Sequence, residues 1–218
     1  MDFDFLTPSG VKIRQSADGY RFTSDAVHLA NFVKCKSTDV IIDAGCGGGV
    51  ISLIVNDNHN PLKILAVDIQ AAAAGLTREN AELNDFKNIE IFNADIREFH
   101  KTYGSNLADV MVCNPPYFST GRKSQNPNRS TARHDDTLNL EELCTAATKL
   151  LKYGGELYFC YPSKYISRAV RIAENNNFRI RHLRFLQNEK GIYLALIHAK
   201  KGGGHQTEVT VKSVSDPC

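Results

Sequence analysis

The chain has 218 residues, of which 42% are hydrophobic and 23% are charged. These values exclude an intrinsically disordered chain and predict one ordinary globular domain. The formal net charge of +2 neither requires nor excludes a nucleic-acid partner, because a local basic patch can coexist with a nearly neutral total. The six cysteines lack a Cys-x-x-Cys pair, the N-terminus is acidic, and every apolar run is too short to cross a bilayer. We therefore expect a cytoplasmic protein with free thiols and no membrane segment.

Short apolar runs alternate with segments of helical periodicity, which is typical of a βαβ protein. Five of the runs predict parallel strands covered on both faces, at 39–44, 63–68, 89–94, 109–113 and 156–161. Helices are predicted at 49–56, 71–84, 96–103, 140–151 and 163–176. Two last strands, 179–186 and 192–199, are joined by a short loop and predict an antiparallel hairpin. The expected fold is α/β and Rossmann-like, with a seven-stranded, mostly parallel sheet and helices on both faces.

Three parts of one domain are predicted along the chain. Residues 1–38 should form a hairpin (11–13 with 20–22) and a helix (25–33, with Thr23 and Ser24 as candidate caps) that pack on the core. Residues 39–201 should form the core itself. Residues 202–218 should form a tail with one weak strand (TEVTVKSV, 207–214) that is poorly ordered or attached to the sheet edge at most. The long polar stretch 119–136 predicts a functional loop.

A glycine-rich turn follows the first strand of the core, where residues 43–49 read DAGCGGG. Glycines such as Gly45 and Gly47 allow a tight strand-to-helix turn and a close approach of the backbone to a ligand. The carboxylate of Asp43 at the mouth of this turn is badly placed for a pyrophosphate. It is well placed to accept hydrogen bonds from a cationic or hydroxylated ligand, which favours S-adenosylmethionine over a dinucleotide.

Two further acids end the next two strands. Asp68 lies about twenty residues beyond the turn, where a carboxylate can bind both ribose hydroxyls of a nucleotide. Its neighbour Ile69 is a further candidate for contact with the ligand. Asp95 follows the third strand and can accept a hydrogen bond from an adenine amine. Because open α/β sheets bind ligands at the carboxyl ends of their strands, the three acids together predict a donor site.

The fourth strand ends in Asn114-Pro115-Pro116-Tyr117, or NPPY. An aryl amine is a poor nucleophile, and two acceptors aimed at its N–H bonds favour the pyramidal nitrogen that develops as a methyl group arrives. The side-chain oxygen of Asn114 and the carbonyl of Pro115 are the candidate acceptors. The prolines stiffen the turn, and Tyr117 offers a flat face on which a base can stack.

In this order and spacing, the motifs DAGCGGG, AVD, NAD and NPPY resemble those of class I S-adenosylmethionine-dependent methyltransferases that modify exocyclic or amide nitrogens. The runs YRFTSDAVHLA, ARHD and HAKKGGG are similar to one subgroup, the bacterial tRNA (adenine-N6)-methyltransferases that act on position 37 of valine tRNA, beside its anticodon. The resemblance extends from about Leu6 to Gly204. It implies that Phe22, Thr23 and Asp25 line the methionine end of the donor pocket, and that Asn114 contacts the donor as well as the target.

Other readings of the motifs stay open. NPPY also occurs in enzymes that methylate a glutamine amide of release factors, and ribosomal guanine-N2 methyltransferases are a second alternative. A donor-binding or RNA-binding module without activity is a third. We expect tRNA as the partner, with no metal and no obligate protein partner. Basic residues that follow NPPY are the candidate RNA contacts, namely Arg122, Lys123, Arg129 and Arg133. A second set forms either a further patch or a solvated face, namely Arg168, Arg171, Arg179, Arg181 and Arg184.

Overall fold

The computed structural model describes residues 3–15, 22–115, 138–204 and 206–214. Over these residues, strands and helices alternate as an α/β fold requires. The elements are β1 (Asp4–Phe5), β2 (Lys12–Ile13), α1 (Ser24–Ala30), β3 (Val40–Ala44), α2 (Val50–His59), β4 (Lys63–Asp68), α3 (Ala71–Leu83), β5 (Ile89–Asn93), α4 (Phe99–Tyr103), β6 (Ala108–Cys113), α5 (Leu140–Leu150), β7 (Leu151–Pro162), a 3₁₀ turn (Ser163–Tyr165), α6 (Ile166–Asn175), β8 (Phe178–Asn188), β9 (Gly191–Lys201) and β10 (Glu208–Ser213).

The main sheet has the order β10-β8-β9-β7-β6-β3-β4-β5 in the described part of the chain. β9 is antiparallel to both of its neighbours, and the other pairs are parallel. The predicted fold class is therefore confirmed, including the antiparallel hairpin at the end of the sheet. The central strands are apolar because helices cover both of their faces: α4, α5 and α6 lie over one face, and α1, α2 and α3 over the other.

The sheet has eight strands rather than the predicted seven, because the tail supplies β10. This strand pairs in parallel with β8. Two side chains connect them: Thr207 Oγ1 donates to the Ile180 carbonyl at 2.9 Å, and His182 Nε2 lies 2.7 Å from Thr210 Oγ1. Val209 and Val211 of β10 are more than half exposed, so the strand is held mainly by hydrogen bonds. β10 lies within the weak strand predicted at 207–214, and its place at the sheet edge agrees with the attachment expected for the tail.

β2 lies within the predicted strand 11–13 and pairs with β1 in a two-stranded antiparallel sheet. Its predicted pairing with the segment 20–22 lies outside the described residues, because Tyr20 and Arg21 are not among them. The backbone beyond β2 is held by two asparagines of α3. Asn84 Oδ1 accepts from the Lys12 N–H at 2.8 Å, and Asn80 Oδ1 accepts from the Arg14 N–H at 2.7 Å.

The predicted helix 25–33 runs from Ser24 to Ala30, with Thr23 at its N-cap position but without a side-chain cap hydrogen bond. Within the described ranges, every helix is too short or too polar to span a membrane.

Candidate active site

The candidate site lies at the carboxyl ends of four neighbouring strands, in the order β6, β3, β4 and β5. Asp43 of β3 is in register with Val112 of β6 on one side and with Ala66 of β4 on the other. Asn114 lies just beyond β6, and the glycine turn lies just beyond β3. The two therefore follow adjacent strands, which are about 4.8 Å apart. The chain order of the strands reverses between β3 and β6, and open α/β sheets bind ligands at such a switch point.

The glycine turn is built on left-handed backbone. Gly45, Gly47 and Gly49 have φ values of +73°, +58° and +87°, a region that L-residues with side chains rarely adopt. The N–H groups of Gly45 and Cys46 donate to the Val67 carbonyl at 2.8 and 3.1 Å, which ties the turn to β4. A Cβ atom added at Gly45 or Gly47 would meet no atom within 4 Å. The turn therefore leaves open space in which a ligand can approach the backbone.

Two buried polar residues of α3 hold the turn from below. Thr77 Oγ1 donates to the Gly47 carbonyl at 2.7 Å, and Asn80 Nδ2 donates to the Gly48 carbonyl at 2.9 Å. Both side chains are fully buried. They were not predicted as site residues, although polar residues three apart on the inner face of a helix are a signal that a buried partner is present.

Asp43 has the features of a ligand-binding acid. It is 1% exposed, and its Oδ2 accepts from Ser52 N at 3.1 Å and from Ser52 Oγ at 2.6 Å. Its other oxygen, Oδ1, is buried and has no hydrogen-bond partner among the described residues. Burial raises the pKa of Asp43 to about 6, helped by the charge of Asp68 and opposed by the Ser52 hydrogen bonds. An unpartnered buried oxygen is costly, so a ligand that donates to it fits this site.

Asp68 is 8% exposed, and each of its oxygens already has one backbone donor. Oδ2 accepts from Gly47 N at 2.9 Å, and Oδ1 accepts from Gln70 N at 2.9 Å. A carboxylate has about four lone-pair positions, so both oxygens keep capacity for a further donor such as a hydroxyl. Ile69 is 41% exposed beside it, so its apolar side chain is accessible to a ligand. Their roles in binding the donor remain predictions.

Asp95 is engaged by Arg97, which the sequence analysis did not identify. Arg97 Nε lies 2.9 Å from both oxygens of Asp95, and Nη2 lies 2.6 Å from Oδ2. Burial alone would raise the pKa of Asp95, but the hydrogen bonds and charge of Arg97 outweigh it and lower the pKa. Arg97 Nη1 also reaches Glu142 Oε1 at 3.3 Å. Asp95 is thus an ionised carboxylate that Arg97 holds in a fixed orientation. If Asp95 also binds an adenine amine, as predicted, its oxygens must accept from the amine and from Arg97 together.

The NPPY run is described for its first two residues. Asn114 is partly buried and Pro115 is buried, directly after β6. Asn114 Oδ1 accepts a hydrogen bond from the thiol of Cys160, with Sγ and Oδ1 2.9 Å apart. Cys160 belongs to β7, the neighbour of β6. Pro116 and Tyr117 lie outside the described residues, and so the stacking role of Tyr117 remains a prediction.

Phe22, Thr23 and Asp25 lie at the start of α1. Phe22 packs against the apolar cluster that contains α1 and α2, Thr23 is exposed, and Asp25 is partly buried in the first helical turn. α1 contacts α2, the helix that the glycine turn opens. This places the three residues on the same face of the sheet as the turn, while their contact with a donor remains a prediction.

Of the two predicted sets of basic residues, only the second lies among the described residues. Arg122, Lys123, Arg129 and Arg133 lie outside the described residues, as does the whole stretch 119–136. The second set does not form one patch. Arg168 and Arg171 are exposed on α6, whereas Arg184 lies over the Phe32 ring at 4.8 Å, and Phe32 belongs to the cluster on the opposite face of the sheet. Three or more His, Cys, Asp or Glu side chains grouped as in a metal site do not occur in the described ranges.

The methyltransferase small domain family model matches residues 21–179. The chain is 29% identical over 170 residues to the tRNA1(Val) (adenine(37)-N6)-methyltransferase of Aliivibrio salmonicida (strain LFI1238), covering 78% of this chain and 71% of that protein. It is 30% identical over 169 residues to the protein of the same name from Dyadobacter fermentans, covering 77% and 69%. Among solved structures, M. jannaschii TYW2 in complex with AdoMet superposes with a TM-score of 0.62 at 16% identity, covering 89% of this chain and 83% of that one.

Proposed function

The chain belongs to the methyltransferase small domain family, and on this premise we propose that it methylates the N6 amine of an adenine in tRNA, with S-adenosylmethionine as the methyl donor. The observation that carries the proposal is the position of Asn114 and Pro115, one strand away from the glycine turn. The names of the relatives support a finer assignment, which is position 37 of valine tRNA.

The donor pocket would be formed by the edge from β3 to β5. The unpartnered Oδ1 of Asp43 would accept a hydrogen bond from the donor, and the open space at Gly45 and Gly47 admits it against the backbone. Asp68 would accept from the ribose hydroxyls, beside the exposed surface of Ile69. When bound, S-adenosylmethionine supplies an electrophilic methyl group on its sulfonium. Asp95, Phe22, Thr23 and Asp25 are proposed to complete the pocket at its adenine and methionine ends.

The target amine would be held by Asn114 and Pro115. Asn114 Oδ1 and the Pro115 carbonyl accept its two N–H bonds, which keeps the nitrogen lone pair out of conjugation with the ring. Pro115 has a fixed φ, and this restricts the direction of its carbonyl. Because the alkylated amine loses its proton readily, no strong base has to act before transfer. The chain's main contribution is placement of the nitrogen in line with the methyl group.

The base would be presented out of its stack, with Tyr117 as the stacking surface. Arg122, Lys123, Arg129 and Arg133 follow NPPY in the chain, and we assign them to the RNA backbone. Contacts of this kind supply affinity that does not depend on sequence and that weakens as salt rises. Selection of one adenine then rests on the pocket around Asn114 and on the shape of the tRNA.

Substitution of Asn114 tests this mechanism. Asn114→Ala removes an acceptor whose interaction strengthens as the amine becomes nucleophilic. We expect the single-turnover rate on valine tRNA to fall roughly a hundred- to a thousandfold, as for the loss of one preorganised polar partner in other enzymes. Donor and tRNA affinities, measured by calorimetry and filter binding, should change little.

Asn114→Asp is the matched control, because it keeps the side-chain shape and an acceptor oxygen. It should retain more activity than Asn114→Ala, with the added negative charge accounting for any remaining loss. A near-normal single-turnover rate for Asn114→Ala would contradict the mechanism, since Asn114 would then be only a turn residue.

A further inference from the structure

The thiol of Cys160 lies directly against the residue proposed to hold the target amine. Cys160 is 0% exposed on β7. The register that pairs Cys113 of β6 with Phe159 of β7 brings the next residues of both strands, Asn114 and Cys160, side by side. The thiol donates to Asn114 Oδ1 over 2.9 Å. The contact follows from the sheet register and is therefore part of the fold rather than of a loop.

We propose that Cys160 is a positioning residue that fixes the orientation of the Asn114 amide for methyl transfer. The inference rests on the proposed function, because it needs Asn114 to bind the target amine. A terminal amide rotates in a broad, roughly two-fold torsion, so its oxygen and nitrogen can exchange places. A thiol that donates its proton favours the orientation in which the oxygen faces it.

The amide oxygen can serve both partners at once. A carbonyl oxygen has two acceptor positions, so a hydrogen bond from the Cys160 thiol does not by itself exclude one from the target amine. In this proposal Cys160 influences the reaction through Asn114 and not by touching the reacting atoms.

A buried cysteine is more often an apolar filler, and the position of Cys160 distinguishes it from the others. Cys113 and Cys144 are equally buried, but both lie within the apolar cluster on the opposite face of the sheet. Cys160 lies on the face that carries α1 and α2. Cys144, on α5, therefore offers a control with the same chemistry and burial on the face of the sheet opposite Cys160.

Three substitutions at Cys160 separate hydrogen bonding from packing. Cys160→Val keeps the approximate side-chain volume but cannot donate a hydrogen bond. Cys160→Ala removes both the volume and the donor, and Cys160→Ser keeps a donor. On an unmodified valine tRNA transcript, we expect single-turnover rates about tenfold below the parent for Val and Ala, the effect of one lost hydrogen bond. The Ser variant should retain most of the parental rate. Donor and tRNA affinities should stay near parental values in all three, and the melting temperature of each variant verifies folding.

Cys144→Ala should lower the melting temperature without lowering the rate.

A double substitution gives the sharpest result: in an Asn114→Ala background, Cys160→Val should change the rate by less than about twofold, because the two residues act as one unit. The inference is overturned if Cys160→Val keeps the parental rate, if Cys160→Ser falls as far as Cys160→Val, or if the two effects multiply. If Asn114→Ala itself is harmless, the proposed mechanism fails and this inference fails with it. A harmful Asn114→Ala with a harmless Cys160→Val contradicts the inference only.

Discussion

Asp43 combines nearly complete burial with a carboxylate oxygen that has no partner among the described residues. Its pKa of about 6 lies above the ordinary value of 3.8, so the folded protein keeps a proton that the unfolded chain loses between these two values. The stabilisation linked to this proton is complete below about pH 4 and is lost as pH rises through about 6. A positively charged donor has the opposite preference, because it favours the ionised carboxylate.

This opposition predicts a pH dependence of donor binding. With a pKa of about 6, about a tenth of Asp43 is ionised at pH 5, so S-adenosylmethionine should bind about tenfold more weakly there than at pH 8. Calorimetry across this range measures the effect, and Asp43→Asn is the control. The Asn variant should bind more weakly at pH 8 and should lose the pH dependence. Parallel profiles for parent and variant would remove Asp43 from the donor site.

At the residue scale, the sequence predicted the acids at the strand ends but not the groups that hold them. Asp43, Asp68 and Asp95 could be identified because each directly follows an apolar run. Arg97 and Cys160 could not be identified from the sequence. The turn after β5 brings Arg97 to Asp95, and the register between β6 and β7 brings Cys160 to Asn114. Pairing across strands is not visible in one sequence.

Among the elements, α5 begins with the most complete cap. Asn139 Oδ1 accepts from Glu142 N at 3.0 Å, and Glu142 Oε2 accepts from Asn139 N at 2.9 Å, which is a capping box. Glu142 uses its other oxygen for Arg97, so the cap also connects the start of α5 to the Asp95 end of the site.

Loss of this cap should destabilise the protein. Asn139→Ala leaves the first turn of α5 without a side-chain acceptor, and we expect the free energy of unfolding to fall by about 1 kcal/mol. Asn139→Asp keeps an acceptor and should stay close to the parent. Urea unfolding followed by circular dichroism measures both. Equal unfolding free energies for the two variants would mean that the cap contributes nothing.

The predicted elements agree with the structure where burial determines them. The parallel strands of the core appear as expected, because their apolar runs are covered on both faces. The hairpin β8–β9 appears as expected because only a short loop joins its two strands. The short strands β2 and β10 lie within segments predicted as strands, 11–13 and 207–214, but the strands with which they pair, β1 and β8, were not predicted as their partners. β2 spans two residues, and the chain after it is held by Asn80 and Asn84 of α3, which are distant in sequence. β10 is held at the sheet edge by polar contacts that leave little apolar pattern.

At the scale of the whole molecule, the order of strands explains why residues far apart in sequence form one site. Asn114 and the turn at 43–49 are more than sixty residues apart in the sequence, yet β6 and β3 are neighbours. In the proposed function, one edge of the sheet would therefore take a donor at β3–β5 and present two acceptors to an amine at β6. This juxtaposition, more than any single motif, supports methyl transfer to a nitrogen.

The identity of the methylated product tests this account most directly. An unmodified valine tRNA transcript is incubated with the purified protein and S-adenosylmethionine carrying a labelled methyl group, and its nucleosides and nuclease fragments are analysed by mass spectrometry. The account predicts N6-methyladenosine in the fragment that contains position 37, the position named for the relatives. A transcript with guanine at that position should gain no label. Label on a guanine N2, or no label on the RNA at all, would contradict the account.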